Sequence, residues 1–537
     1  MTFRVTPGLL LGLTVFIIGV SEVFGQPPPP PVPARCLSSP EHQMLQYWGR
    51  YHRLPTDLLD AFLIAEGITD SLRRRELHQQ VDQLLEALER RIKPGHSPAK
   101  KGRRIFDFLH RRCFKKYVLN ARLSHTLTAH AYNCLTATAL FYLFGEHFQV
   151  PVRIYTSPTH VFAAVDEADR RITVELTDPR GGFDYRGNWE EHVEFLLRYK
   201  LISREELERK GPEQIYDEYV QHRREIRPEQ LVAVVYNNLA VEHLEQLRYE
   251  EALCAIKKAL HFDAGDPDYH HKYQAILQLL VQSVEMDLGQ QVEAVIEGLR
   301  FFPRDGNFQR FGWSVVERAI YQLVSREKDF ARASRIVAGL YPLMEESPEM
   351  TRRVQRLREI VDLEWIGTLF RRGEYQTAYQ KILPLYRRAP DQPRFKDVYV
   401  DVTIKYADYL SSYGKIEQGL ELLDTLRVQC GDYPVVKEAY AEIVLRYLGR
   451  DLEYRTHPER ARKLLVRAFA VDPDNVYIRR GLATVYHELI MEAIRAKRYR
   501  EAKKIVLEGL QYNPEDQVLQ DDLGHINDLL VYIKQRP

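Results

Sequence analysis

From Gln230 to the C-terminus one register keeps returning, and it admits few folds. Its clearest unit is Tyr-Asn-Asn-Leu-Ala (236 to 240), then Tyr249-Glu-Glu-Ala252-Leu, then Lys258-Ala259-Leu260 and Asp263. Parts of it recur as Gly373-Glu-Tyr375 with Ala378 and Pro390, as Pro458-Glu-Arg-Ala461 with Ala468, Asp472 and Pro473, and as Arg498-Tyr499 with Ala502, Gly509 and Pro514. Small residues at fixed offsets let paired helices approach closely, and the proline ends the second helix of each pair. The pattern predicts an all-α array in which each helix pair buries its apolar face on the next. It is weakest around residues 280 to 345 and 405 to 435, and no strand signal interrupts it.

The register resembles the tetratricopeptide (TPR) helix-pair repeat, over residues 230–537. The resemblance implies a superhelix whose concave face binds a polypeptide partner.

The region before it is organised differently. Residues 41–95 repeat apolar positions at helical spacing: Leu58, Leu59, Phe62 and Leu63 share one face, followed by Leu77, Val81, Leu84, Leu85 and Leu88. Lys-Pro-Gly-His-Ser-Pro (93 to 98) breaks that pattern. Ile105 to Leu127 is expected to be helical and basic, a solvated face. Asn133 to Phe148 is apolar throughout and reads as a buried helix, after which Val150–Tyr155, Val161–Val165 and Ile172–Leu176 read as short antiparallel strands. Helix followed by strands makes 96–200 an α+β domain. Residues 201–229 are expected to be a helical connector.

Met1 to Gln26 reads as a targeting segment: Arg4 precedes an apolar run from Leu9 to Val20, and Gly25 offers a cleavage point. The expected organisation is a signal peptide at 1–25, a proline-rich linker at 26–40 and an exported (periplasmic or extracellular) chain with no stable membrane span after cleavage. The alternative is an N-terminal membrane anchor. With 76 Lys and Arg against 75 Asp and Glu, the chain carries no field that would favour nucleic acid as a partner. Five widely spaced cysteines, Cys36, Cys113, Cys134, Cys254 and Cys430, form no disulfide framework, and Cys134 is the thiol expected to stay free. No nucleotide loop or cofactor fingerprint appears, and the spacing of His125, His130 and Cys134 completes no familiar metal site, so neither cofactor nor metal is expected.

The chemistry is expected at Cys134. A thiol in the first turn of a helix meets free N–H groups and the positive end of the helix dipole. His160, at the start of a following strand, can take and return a proton near neutral pH. Glu175 or Asp178, at the end of the next strand, can orient the imidazole. Asn133 is read as a helix cap or a donor to an oxyanion.

The pieces Phe-Asp-Phe-Leu-His-Arg-Arg (106 to 112), Tyr-Asn-Cys-Leu-Thr-Ala-Thr-Ala-Leu (132 to 140), Pro-Thr-His-Val-Phe (158 to 162), Val-Glu-Leu-Thr (174 to 177) and Gly-Gly-Phe-Asp (181 to 184) resemble the transglutaminase-like superfamily of papain-like thiol enzymes. The branch in question joins such a domain to TPR helices. The resemblance implies a papain-like core, Cys134 as nucleophile, His160 as general base, and an acid where that superfamily has the Asp of a Val-Asp-Pro-Thr-like segment. Glu175 occupies that place, with Asp178 as the alternative. The implied reaction is acyl transfer from a protein or peptide amide through a thioester, to water rather than in cross-linking. The competing expectation is a protein-interaction scaffold that keeps the same domains without catalysis.

Overall fold

The computed structural model describes residues 29–534 apart from 158–159, 169, 186–188, 199–201, 217–222, 284–285, 432 and 451–452. The expected signal peptide, the first prolines of the linker, and Pro158 and Thr159 of the histidine motif lie outside the described residues. Contacts divide the chain into two compact units, the first up to Ala319 and the second from Ile320.

The first unit begins with three helices, α1 (Ser39–Tyr51), α2 (Leu58–Ala65) and α3 (Ser71–Glu89). Each is entered through a capping side chain: Ser38 forms a capping box with Glu41, Asp57 accepts from Asp60 N at 2.8 Å, and Asp70 accepts from Leu72 N at 2.9 Å. Ser97 and Pro98 likewise start α4 (Pro98–Arg112). The helix expected to run on to Leu127 ends there. Lys115 N and Lys116 N bond the His130 carbonyl at 3.0 and 3.2 Å, and Val118 N bonds the Tyr132 carbonyl at 2.9 Å. These bonds draw the chain into a two-residue parallel pairing of β1 (Lys116–Tyr117) with β2 (Ala131–Tyr132), around the short helix α5 (Leu123–Ala129). Non-local hydrogen bonding overrides helical periodicity here.

Helix α6 (Cys134–His147) is apolar on almost every side and is accordingly buried on almost every side, from Leu135 to Leu140 without a break. It lies on an antiparallel sheet of order β5-β4-β3-β6, comprising β3 (Val152–Ser157), β4 (His160–Glu167), β5 (Arg170–Val174) and β6 (Arg224–Ile226). The three strands expected from sequence are present. The fourth is a correction: 201–229 is not only a helical connector, because Ile154 pairs with Ile226 and Thr156 with Arg224. Gly145 makes the helix–sheet contact close, since a Cβ there would sit 2.5 Å from Val152 Cγ2. Phe108, Phe141, Phe144, Ile154, Val165 and Ile172 fill the space between.

The boundary expected near residue 230 falls inside this unit, because α10 (Leu231–Glu245) and α11 (Tyr249–Phe262) pack against the N-terminal helices. Buried Glu41 accepts from Tyr236 Oη at 3.0 Å and pairs with Lys258 Nζ at 2.7 Å, and Trp48 Nε1 donates to the His261 carbonyl at 2.9 Å. A disulfide joins Cys36 to Cys254, 218 residues apart, a single bridge that the cysteine spacing did not foretell. Cys113, Cys134 and Cys430 are free thiols.

The second unit is helical throughout. From α16 (Pro348–Arg371) and α17 (Tyr375–Arg388) it continues through α18 (Pro393–Ser412) and α19 (Ile416–Cys430), and ends with α24 (Tyr499–Tyr512) and α25 (Gln517–Lys534). The alanines of the register, Ala378, Ala461, Ala468 and Ala502, are fully buried where helices meet. Gly419 allows the closest approach, with a Cβ there 2.7 Å from the Ala407 carbonyl. Gly414, at φ +80°, turns α18 into α19 in a conformation other residues rarely adopt. The irregular stretch of the register contains two π-helical turns, Phe308–Gly312 and Gln322–Glu327, and a 3-10 turn at Tyr341–Glu345. The described residues are thus mostly helical, with a succession of helix pairs, the two-residue pairing of β1 with β2 and one four-stranded sheet.

Candidate active site

Cys134 is the first residue of α6, half-buried, and its position is held by the residue before it. Asn133 Oδ1 accepts from Thr136 N at 2.9 Å, while Asn133 N donates to Thr136 Oγ1 at 3.1 Å, a reciprocal cap. Its amide nitrogen donates to the Leu119 and Ala121 carbonyls at 2.8 and 3.1 Å. Of the two expected roles, Asn133 therefore fills that of the cap: both its amide hydrogens point at carbonyls of the 119–121 loop. The N–H groups of Cys134 and Leu135 have no carbonyl four residues earlier in the helix and point out of its N-terminus.

His160 opens β4, opposite Ser157 in the antiparallel register. Thr138 Oγ1 on α6 lies 3.3 Å from the Val161 carbonyl, tying the Cys134 helix to the His160 strand. Phe162 stacks near the imidazole with ring centres 6.1 Å apart and the planes 16° from parallel, and Tyr155 stacks on Phe162 in turn. His160 is 8% exposed and so is Glu175. The imidazole Nε2 lies 2.7 Å from Glu175 Oε2, and Cys134 is close enough for its side chain to act electrostatically on the imidazole.

Burial works against a charged imidazole, but the Glu175 carboxylate and the neighbouring Cys134 outweigh it and raise the His160 pKa to about 10. Burial likewise opposes ionisation of Glu175, and the His160 charge with the Thr177 hydrogen bonds overrides it and lowers its pKa. The pair is therefore an imidazolium and a carboxylate at neutral pH.

Asp178 lies three residues on and is turned elsewhere. Its Oδ1 accepts from Arg180 N at 3.0 Å within its own turn, and its charge acts on His110. Between the two candidate acids, Glu175 is the one that reaches His160. Its second oxygen, Oε1, accepts from Thr177 N at 3.0 Å and from the Thr177 hydroxyl. Its backbone is fixed by Glu175 N donating to the Gly182 carbonyl at 2.6 Å. Gly182 cannot be larger, since a Cβ would stand 1.9 Å from the Glu175 carbonyl oxygen.

Two neighbours went unnoticed in sequence. Thr177 stands two residues after an acid, where a hydroxyl and an N–H can both turn back on the carboxylate, and that spacing is its sequence signal. His110, amid Phe106, Phe114 and Tyr132, is kept neutral, its pKa lowered to about 4 by burial. A small cavity of about 20 Å³ adjoins the start of α6 and is lined by Asn133, Leu135, Arg122 and Glu66, together with Asn238 and Glu242 of α10. Arg122 pairs with Glu242 at 2.6 Å across it. Among the described residues no group of three His, Cys, Asp or Glu could hold a metal ion, and no helix is long and apolar enough to cross a membrane.

No protein-family model and no curated protein matches the chain. Among solved structures, the crystal structure of the P58(IPK) TPR domain is 14% identical, covering 65% of this chain and 100% of its own, with a TM-score of 0.16. The structure of Naa15/Naa10 bound to HypK-THB is 13% identical, covering 55% of each chain, with a TM-score of 0.13. Neither similarity is to a transglutaminase-like protein.

Proposed function

We propose that residues 96–200 form a transglutaminase-like thiol acyl-transfer site, with Cys134 as nucleophile, His160 as general acid and base, and Glu175 as the acid that orients the imidazole. The single observation that carries this reading is a buried imidazole bonded to Glu175 and influenced by a neighbouring thiol at a helix N-terminus. Buried ionic pairs are costly, and where Glu41–Lys258 joins packed helices, His160–Glu175 stands beside a thiol at a helix N-terminus, which is what marks it as a site.

In the proposed reaction the Cys134 sulfur, its proton held by His160, attacks an amide carbonyl carbon and forms a C–S bond. The N–H groups of Cys134 and Leu135 receive the resulting oxyanion. His160 returns its proton to the amine nitrogen as the C–N bond breaks, leaving a thioester. Water then attacks the thioester while His160 takes its proton, releasing the acid and restoring the thiol. The substrate class is a protein or peptide amide. The TPR-like array recruits a polypeptide, its helix pairs supplying the repeated surface that such a role needs. The Cys36–Cys254 disulfide supports export to an oxidising compartment.

The test exposes the full chain and its Cys134→Ala variant to a peptide-based, thiol-directed suicide substrate at neutral pH. Labelling is expected at Cys134 and lost in the variant. Equal labelling of both proteins would overturn the assignment and leave a non-catalytic interaction scaffold.

A further inference from the structure

We propose that Thr177 is a positioning residue for the Cys134 site: it clamps one oxygen of Glu175 so that the other is presented to His160. The inference rests on the reading of Cys134, His160 and Glu175 as one site, and it explains how that site works with a glutamate. A glutamate carries one more rotatable bond than an aspartate, and an unheld carboxylate at the end of that stem would sample several rotamers. Here the freedom is removed at both ends. At the backbone, Glu175 N donates to the Gly182 carbonyl at 2.6 Å, and the chain of Gly182 is packed so tightly on the Glu175 carbonyl that no side chain fits. At the tip, the Thr177 N–H and hydroxyl both donate to Oε1, which leaves Oε2 directed at His160 Nε2, 2.7 Å away.

Thr177 is 1% exposed, so no water competes for that oxygen from its side. A valine of the same shape would keep the packing and the backbone N–H while removing the hydroxyl. A serine would keep the hydroxyl while removing a methyl group. The two substitutions therefore separate hydrogen bonding from packing.

The experiment measures the rate at which iodoacetamide alkylates Cys134 in the full chain, by mass spectrometry of the Cys134 peptide, from pH 4 to pH 10. Thr177→Val is expected to slow alkylation at neutral pH by about tenfold to a hundredfold, the range for removing a hydrogen bond to a charged group. The rise of rate with pH should also move to higher pH, while Thr177→Ser retains the wild-type profile. Superimposable profiles for Thr177→Val and wild type would overturn the proposal, as would equal slowing by serine and valine. If Thr177→Val does not fold, Thr177→Ala against Thr177→Ser decides on the same criterion. Failure of the underlying reading looks different: wild-type Cys134 would then react no faster than Cys134 in a His160→Ala variant, whatever stands at position 177.

Discussion

The sheet-bearing part of the first unit and the helical second unit bury polar groups in opposite ways. Around α6 and β4, Asn133, Thr136, His160, Glu175 and Thr177 are all buried and all bond one another or adjacent loops, and an ion pair lies at their centre. In the second unit, Thr403 and Ser411 are buried, but each hydroxyl returns to a carbonyl one turn earlier in its own helix, Tyr399 at 2.6 Å and Ala407 at 2.9 Å. Those bonds serve the helix locally. The difference separates burial that completes a helix from burial that holds charged groups in a set geometry, and only the second calls for a chemical explanation.

The largest expected effect compares the two directly. Glu175→Ala leaves the buried His160 without its counter-charge and should cost about 3–5 kcal/mol by denaturant titration of the full chain. Leu420→Ala in the core of the second unit should cost about 2–5 kcal/mol through the cavity it leaves. The two should diverge in Cys134 alkylation, which only the first abolishes. Loss of alkylation in Leu420→Ala protein that retains its helical signal would erase the contrast.

Gly182→Ala tests the frame around the acid. The added Cβ must displace the Glu175 carbonyl, and a shift on the order of 1 Å at a reacting group costs roughly a hundredfold in rate. Alkylation of Cys134 at pH 7 is the measurement, and a change under threefold would show that the turn can yield without moving Glu175.

The smallest effect is in pH dependence, where two buried histidines should act with opposite sign. His160 has its pKa raised in the folded chain, so its contribution is complete below the unfolded value near 6.5 and is lost as pH rises through about 10. Glu175, with its pKa lowered, contributes above its unfolded value and loses that contribution as pH falls. The pair should thus support the fold best between about pH 4.5 and 6.5. His110 has its pKa lowered to about 4, so the stability of its neutral form is present above about 6.5 and is lost as pH falls toward 4. Asp178 and Asp107 raise that value and Lys115 lowers it, without reversing the burial that dominates. His110→Phe should flatten the decline in melting temperature between pH 6.5 and 4 and leave the decline above 6.5 unchanged. An unaltered acid limb would remove His110 from the account.

Much of the architecture was legible because it is local. Periodicity made 41–95 helical, with apolar positions that fall on α2 and α3, and located the buried α6 and the strands β3 to β5, and the register of small residues foresaw the helix pairs. What escaped depends on partners far away in the chain. Arg224–Ile226 has no alternating pattern and becomes a strand only because β3 offers it an open edge. Residues 113–122 leave the helical path for carbonyls at 130 and 132. Cys36 and Cys254 meet because α1 packs on α11, a contact that no spacing of cysteines encodes.

The candidate site divides along the same line. Residue type and order along the chain determined by themselves a thiol opening an apolar helix, a histidine opening a strand, and an acid at the end of the next, since each follows from local capping and periodicity. Only the tertiary structure decided between Glu175 and Asp178 and closed the Asn133 amide onto the carbonyls at 119 and 121. Those choices depend on where a side chain can reach once helix and sheet are packed, and a difference of one rotamer, invisible in sequence, determines which carboxylate meets the imidazole.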